Sequence, residues 1–197
     1  DNPDYDIDGK ISKMSIEDLI FAASRGGWPA SLYGRTPKAQ LLIAKNYVQT
    51  VCAEDVSHID GIQRDPKTAS AILRSYARNI STLAKKTTLL EDVISSGEIS
   101  LSMDTFSDYE TTFERLFVIQ NIDAWSPAIR SKTAIRSSVK RGFCDPSIAV
   151  ALLGLSPESL SVQLKTFGFI FEQMCIRDLK AYTIDLNLSL IHISDGA

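Results

Sequence analysis

The chain has 197 residues, 44% of them apolar and 23% charged, with a formal net charge of −3. That length suits one large or two small domains able to bury a core, and the charge gives no global pull toward nucleic acid or an anionic membrane. The longest apolar run, 148–155, is interrupted by Gly154 and is too short to cross a bilayer. Neither end carries a signal-peptide pattern, and Cys52, Cys144 and Cys175 are odd in number and widely spaced. The expectation is a cytoplasmic protein with reduced, buried thiols and no membrane partner. His58 and His192 have no neighbour at metal-ligand spacing.

Helix starts are the clearest local signal. Ser15, with Asp18 three residues on, reads as a capping box, and Gly26 as the stop. Thr36-Pro37, Asp65-Pro66, Asp145-Pro146 and Ser156-Pro157 each place a capping side chain before a proline. Proline loses nothing at the first helical position, where its missing N–H would be unpaired anyway. After Pro37 the apolar residues Leu41, Leu42, Ala44, Tyr47, Val48 and Val51 recur at helical spacing. The polar stretch 54–64 reads as a linker.

After Pro66, Ile72, Leu73, Tyr76, Ala77, Ile80 and Leu83 form one apolar stripe. On the other side Lys67, Arg74, Arg78 and Lys85 fall within about 20° of the Lys67 direction at 100° per residue. Such a basic line is a solvated face or a phosphate contact. A short helix over 88–95 and another from about Ser102, with Met103, Phe106, Tyr109, Phe113 and Leu116 inward, come next. Extended runs over 116–122 and 134–144 flank a turn at Ser126-Pro127. Three helices followed by a two-stranded ribbon is the order of a winged helix. A final helix over 167–181 turns Phe171, Met174, Cys175 and Leu179 to one side.

The charges test a DNA reading. Between 97 and 115, five acids (Glu98, Asp104, Asp108, Glu110 and Glu114) face Arg115 alone, a net of −4, so the helix that would enter the major groove is repelled by phosphate. The ribbon, 126–142, holds Arg130, Lys132, Arg136, Lys140 and Arg141 with no acid. Four of these share parity and suit a wing that touches phosphates. The alternative is that they pair with the acidic helix or face water.

Four segments in order, RGGWPAS (25–31), SYARNIST (75–82), AWSPAIRSKTAIRSSVKRGFCDPSIAVALLG (124–154) and TFGFIFEQMCIRDLK (166–180), resemble the C-terminal half of prokaryotic AAA+-type ATP-binding proteins. That half is a domain of unknown function, and the resemblance covers about 10–182. It implies a mainly helical chain with a small β component. The expected parts are a helical lid-like region over 1–64, a winged-helix domain over 65–145 and a truncated start of a nuclease-like α/β domain over 146–197.

The partner implied is an N-terminal P-loop ATPase domain that holds ATP and Mg²⁺. This chain has no GxxxxGK[ST] and is expected to hold neither cofactor and to be no enzyme itself. Arg25, Arg74 and Arg78 are candidates to face nucleotide, and Trp28 reads as a core anchor. Glu172 matches a metal-binding glutamate of the nuclease-like fold. One glutamate cannot hold the ion, and Asp178 lies about 120° around the helix from it. The tail 183–197 does not resemble the family's continuing sheet, and a truncated or misread frame is the expectation. The function expected is to couple the ATPase to a nucleic-acid or protein partner; the alternative is a free-standing winged-helix DNA-binding regulator, with a nuclease third.

Overall fold

Side-chain caps start most of the helices. The computed structural model describes residues 12–33, 36–95, 97–123 and 139–185. Among these residues the elements are α1 (Ile16–Arg25), α2 (Pro29–Leu32), α3 (Pro37–Thr50), α4 (Val56–His58), α5 (Pro66–Arg78), α6 (Lys86–Ile94), α7 (Met103–Arg115), α8 (Pro146–Leu152), α9 (Pro157–Val162) and α10 (Leu164–Asp185). Ser15 and Asp18 form the reciprocal box at α1. Thr36, Asp65, Asp145 and Ser156 each accept a first-turn amide ahead of a proline, so the four capping pairs do start helices.

The fold is mainly helical, and no sheet occurs among the described residues. The extended runs meet through two isolated antiparallel bridges, Ile119 with Phe143 and Ile122 with Lys140. The segment from Lys140 to Phe143 is flanked on its other side by Ser81 and Thr82: Ser81 N donates to Arg141 O at 2.8 Å and Arg141 N to Thr82 O at 2.8 Å. These pairings do not amount to a ladder, and neither a winged helix nor a nuclease-like part is established by them. The tip of the expected ribbon, 124–138, and the tail after 185 lie outside the described residues. Leu83, expected in the α5 stripe, is 60% exposed. Helix α5 has already ended at Arg78, and Ser81 turns the chain with φ 58°.

Two apolar clusters share one wall. The larger joins Val48, Val51 and Val56 to Ile72, Leu73 and Tyr76 of α5, Phe106 and Phe113 of α7, and Ile148, Ala149 and Leu152 of α8. The smaller joins Ile20 and Ala23 of α1 to Leu160, Phe167, Ile170 and Met174, and receives Val150 from α8. Helix α8 is therefore apolar and buried on nearly every side, as a helix between two cores must be.

The stretch 54–64 is mostly exposed, as a linker would be, but its first part is helical and it is tied down at Val56 and Arg64. A π-helical turn, Val51–Asp55, carries α3 into α4, and Val51, Cys52 and Val56 are buried. Arg64 is only 4% exposed. Its Nη1 donates to Val56 O at 2.7 Å and to Asp60 at 2.8 Å, Nη2 donates to Asp60 at 2.8 Å, and Nε donates to Asp108 at 3.1 Å. The guanidinium also lies 5.9 Å from the Tyr109 ring centroid. Burial is tolerated because nearly every donor has an acceptor.

Arg64→Ala is expected to lower the unfolding free energy by about 1.5–3 kcal/mol, the range for hydrogen bonds to charged groups, read from the urea midpoint. The same residue holds the Asp60 carboxyl down, from an ordinary 3.8 to about 2. A carboxylate depressed in the folded state stabilises above its unfolded value and loses that contribution as pH falls through the folded one. The stability gap between the native protein and Arg64→Ala is therefore expected to narrow from about pH 4 toward pH 2.

Candidate functional site

Helix α8 starts at a carboxylate with more than a capping role. Asp145, 6% exposed, accepts on Oδ1 from the Ser147 amide at 2.9 Å and the Ser147 hydroxyl at 2.5 Å. On Oδ2 it accepts from the Gly27 amide at 2.9 Å and from Arg177 Nη1 of α10 at 2.7 Å. The Ser147 hydroxyl in turn accepts from Trp28 Nε1 at 2.8 Å, and the Trp28 ring packs 4.7 Å from that of Tyr47. One carboxylate thus ties α1's end to α8 and α10.

This close approach requires Gly26 and favours Gly27. Gly26 has φ 79°, and a Cβ there would fall 2.4 Å from Ser147 Oγ and 2.5 Å from Asp145 Oδ1. At Gly27 a Cβ would come within 3.2 Å of Arg177 Nη1. Trp28 is a half-buried anchor of the larger core, as its sequence reading has it. Arg25, the last residue of α1, has its Nε buried without a hydrogen-bond partner among the described residues.

A broad groove of about 1150 Å³ runs along α5. One wall is Lys67, Ser70, Ala71, Arg74 and Arg78; the other is Asp92 and Val93 of α6 with Glu98, Ile99 and Ser100. Arg78 is bound to Asp92, Nε at 2.9 Å and Nη2 at 2.6 Å. Lys67 and Arg74 are exposed and form no ion pair among the described residues. Two of the three nucleotide-facing candidates therefore share this groove, and Arg25 does not line it. Lys85, placed on the same basic line by sequence, instead sits at the N-terminus of α6.

The described ribbon cations face inward or sideways. Arg141 is 3% exposed; its Nη1 donates to Glu110 Oε1 at 3.0 Å and to the Tyr76 hydroxyl at 3.1 Å, and its Nε to Ala84 O at 2.8 Å. Glu110 also accepts from the Tyr76 hydroxyl and pairs with Lys86. Burial, with the Glu110 charge beside it, pushes the Tyr76 phenol well above its usual range. Arg141 thus pairs with the acidic helix α7, the alternative to a phosphate contact. Lys140 pairs with Glu172, so the wing candidate and the metal candidate meet each other. Arg130, Lys132 and Arg136 lie outside the described residues.

No group of three or more His, Cys, Asp or Glu is placed to hold a metal among the described residues. Burial pushes the Cys52 and Cys144 thiols up to about 11, leaving them protonated at neutral pH. No helix among the described residues is long and apolar enough to cross a membrane.

Sequence reasoning did not reach Asp145, Ser147 or Arg177 as a joint, nor the Tyr76–Glu110–Arg141 cluster. Asp145 was legible as a cap. Its second oxygen, with spare acceptor capacity, was the one available hint of a further partner.

Two contrasts follow. Arg141→Ala leaves Glu110 buried with only Lys86 and Tyr76, and is expected to cost about 3–5 kcal/mol, whereas Lys140→Ala, at a half-exposed pair, costs under about 1 kcal/mol. Gly26→Ala is expected to cost at least about 2 kcal/mol, because left-handed backbone and close approach both oppose a methyl group. Denaturant midpoints of the three variants check both statements.

No curated protein and no solved structure matches this chain. The model of a family described as Domain of unknown function (DUF8612) matches residues 16–159, from α1 into α9, and the chain belongs to that family.

Proposed function

We propose that this chain is a non-catalytic helical module that transmits the state of an adjoining ATP-binding domain to a partner macromolecule. The observation that carries the proposal is the Asp145 joint. A single buried carboxylate holds the Gly27 amide, the start of α8 and Arg177 of α10. Packing of α1 on α8, α9 and α10 reinforces it. A displacement of α1 therefore carries α10 with it, since close-packed elements move as bodies and do not deform continuously.

The adjoining domain comes from the sequence resemblance to AAA+-type proteins. In this reading ATP and Mg²⁺ bind the P-loop domain, and the region around α1 and Trp28 is its lid. A free-standing winged-helix DNA-binding regulator is less well supported. Lys140 and Arg141 are committed to Glu172 and Glu110, leaving Arg130, Lys132 and Arg136 to meet phosphates. The nuclease reading loses Glu172 to Lys140 in the same way.

The test uses the protein with its ATP-binding domain attached. Exchanging ADP for a non-hydrolysable ATP analogue is expected to change hydrogen exchange in both α1 and α10, and Arg177→Ala to confine the change to α1. An α10 that ignores nucleotide in the unaltered protein would contradict the proposal. So would an upstream coding sequence without a P-loop, or turnover of ATP or nucleic acid by residues 1–197 alone.

A further inference from the structure

The α5 groove has a charge pattern that selects among partners. Its lining carries three cations, Lys67, Arg74 and Arg78, and three carboxylates, Asp65, Asp92 and Glu98. The cations lie in one line along α5, at steps of seven and four residues, or about 10.5 and 6 Å of helix rise. The carboxylates sit at the end and on the opposite wall. Asp65 is engaged by the Thr68 amide at 2.8 Å and hydroxyl at 2.7 Å, and Asp92 by Arg78. Lys67 lies beside Asp65, whose carboxyl it helps to hold down, and neither Lys67 nor Arg74 forms an ion pair among the described residues.

We infer that this groove docks an acidic peptide segment of a protein partner, with its carboxylates set against Lys67 and Arg74. The inference rests on the coupling proposal for the existence of a partner, and it names that partner's chemistry. A nucleic-acid strand fits the lining poorly for two reasons. It carries a charge at every nucleotide, so a strand laid along Lys67 to Arg78 would also press phosphates on Asp92 and Glu98. Grooves for single strands also stack bases on aromatic rings, and none lines this one.

A peptide has neither constraint. Its acids can be placed opposite Lys67 and Arg74, about three extended residues apart, while polar or basic residues face Asp92 and Glu98. Thr68, Ser70 and Ser100 offer hydroxyls for its backbone, and Ala71, Val93 and Ile99 a small apolar floor. Opposed charges of this kind fix orientation and speed of association more than affinity, so binding is expected to be weak and salt-sensitive.

The experiment is fluorescence anisotropy on the whole chain with three labelled probes at 50 and 200 mM salt. These are a 12-residue Glu/Ser peptide with glutamates three residues apart, the same peptide with Lys for Glu, and a 12-nucleotide thymidine strand. The acidic peptide alone is expected to bind, and Lys67→Ala with Arg74→Ala to weaken it at least fivefold. Both positions are exposed, so circular dichroism should be unchanged and loss of binding is not loss of fold. Absence of acidic-peptide binding, binding indifferent to the double substitution, or thymidine-strand binding lost with it would each overturn the inference. None of these outcomes bears on nucleotide-dependent exchange in α10, so the coupling proposal fails or stands separately.

Discussion

Helix α8 packs against α1, α3, α5 and α10, and Asp145 fixes where it begins. Apolar packing into two cores sets the direction of this helix, and polar contacts at its first residue add to that. Four donors converge on the Asp145 carboxylate: two from Ser147 and one each from Gly27 and Arg177. A charged acceptor hydrogen bond is worth roughly 1.5–3 kcal/mol net, and those sharing one carboxylate do not add. The larger effect is geometric. Gly26 and Gly27 let backbone come against the carboxylate, and a side chain at Gly26 would run into Asp145 and Ser147.

The same device recurs twice in the larger core. Arg64 gathers Asp60, Asp108 and the carbonyl of Val56, and Arg141 joins Glu110 and Tyr76. Buried ion pairs of this kind are not strong sources of stability compared with a well-packed apolar substitute. Removing one partner of the Arg141–Glu110 pair is costly, because the remaining charge stays buried, whereas Asp108 beside Arg64 is half-exposed. Each pair links segments far apart in the chain, 64 to 108, 110 to 141 and 145 to 177. They act on which helices meet and in which register more than on the total free energy, and they turn Arg64, Glu110, Arg141 and Asp145 inward.

That inward use of charge explains what was and was not legible. Capping is local physics, so Ser15, Thr36, Asp65, Asp145 and Ser156 announce their helices within four residues. The α5 stripe of Ile72, Leu73, Tyr76 and Ala77 is equally plain, and all four are buried. The polar stretch at 54–64 is largely exposed as its composition suggests, but the buried end of it was not legible, because Arg64 finds Asp108 44 residues away, a pairing with no sequence signature. Likewise Glu110 counts as one of five acids repelling DNA until Arg141 and Lys86 neutralise it. Of the candidate residues, Arg74 and Arg78 come together in one groove because they share a helix face. Lys140 and Glu172 come together only through the fold.

Native-state hydrogen exchange of Asp145→Asn tests the central claim most directly. The substitution keeps the size of the side chain and one carbonyl oxygen, and removes the charge that holds Arg177 and Gly27. If Asp145 joins the helices, amides of α1 and α10 lose protection together, while those of α5 in the larger core keep theirs. Unchanged protection in α1 and α10, or loss in one without the other, would contradict the account.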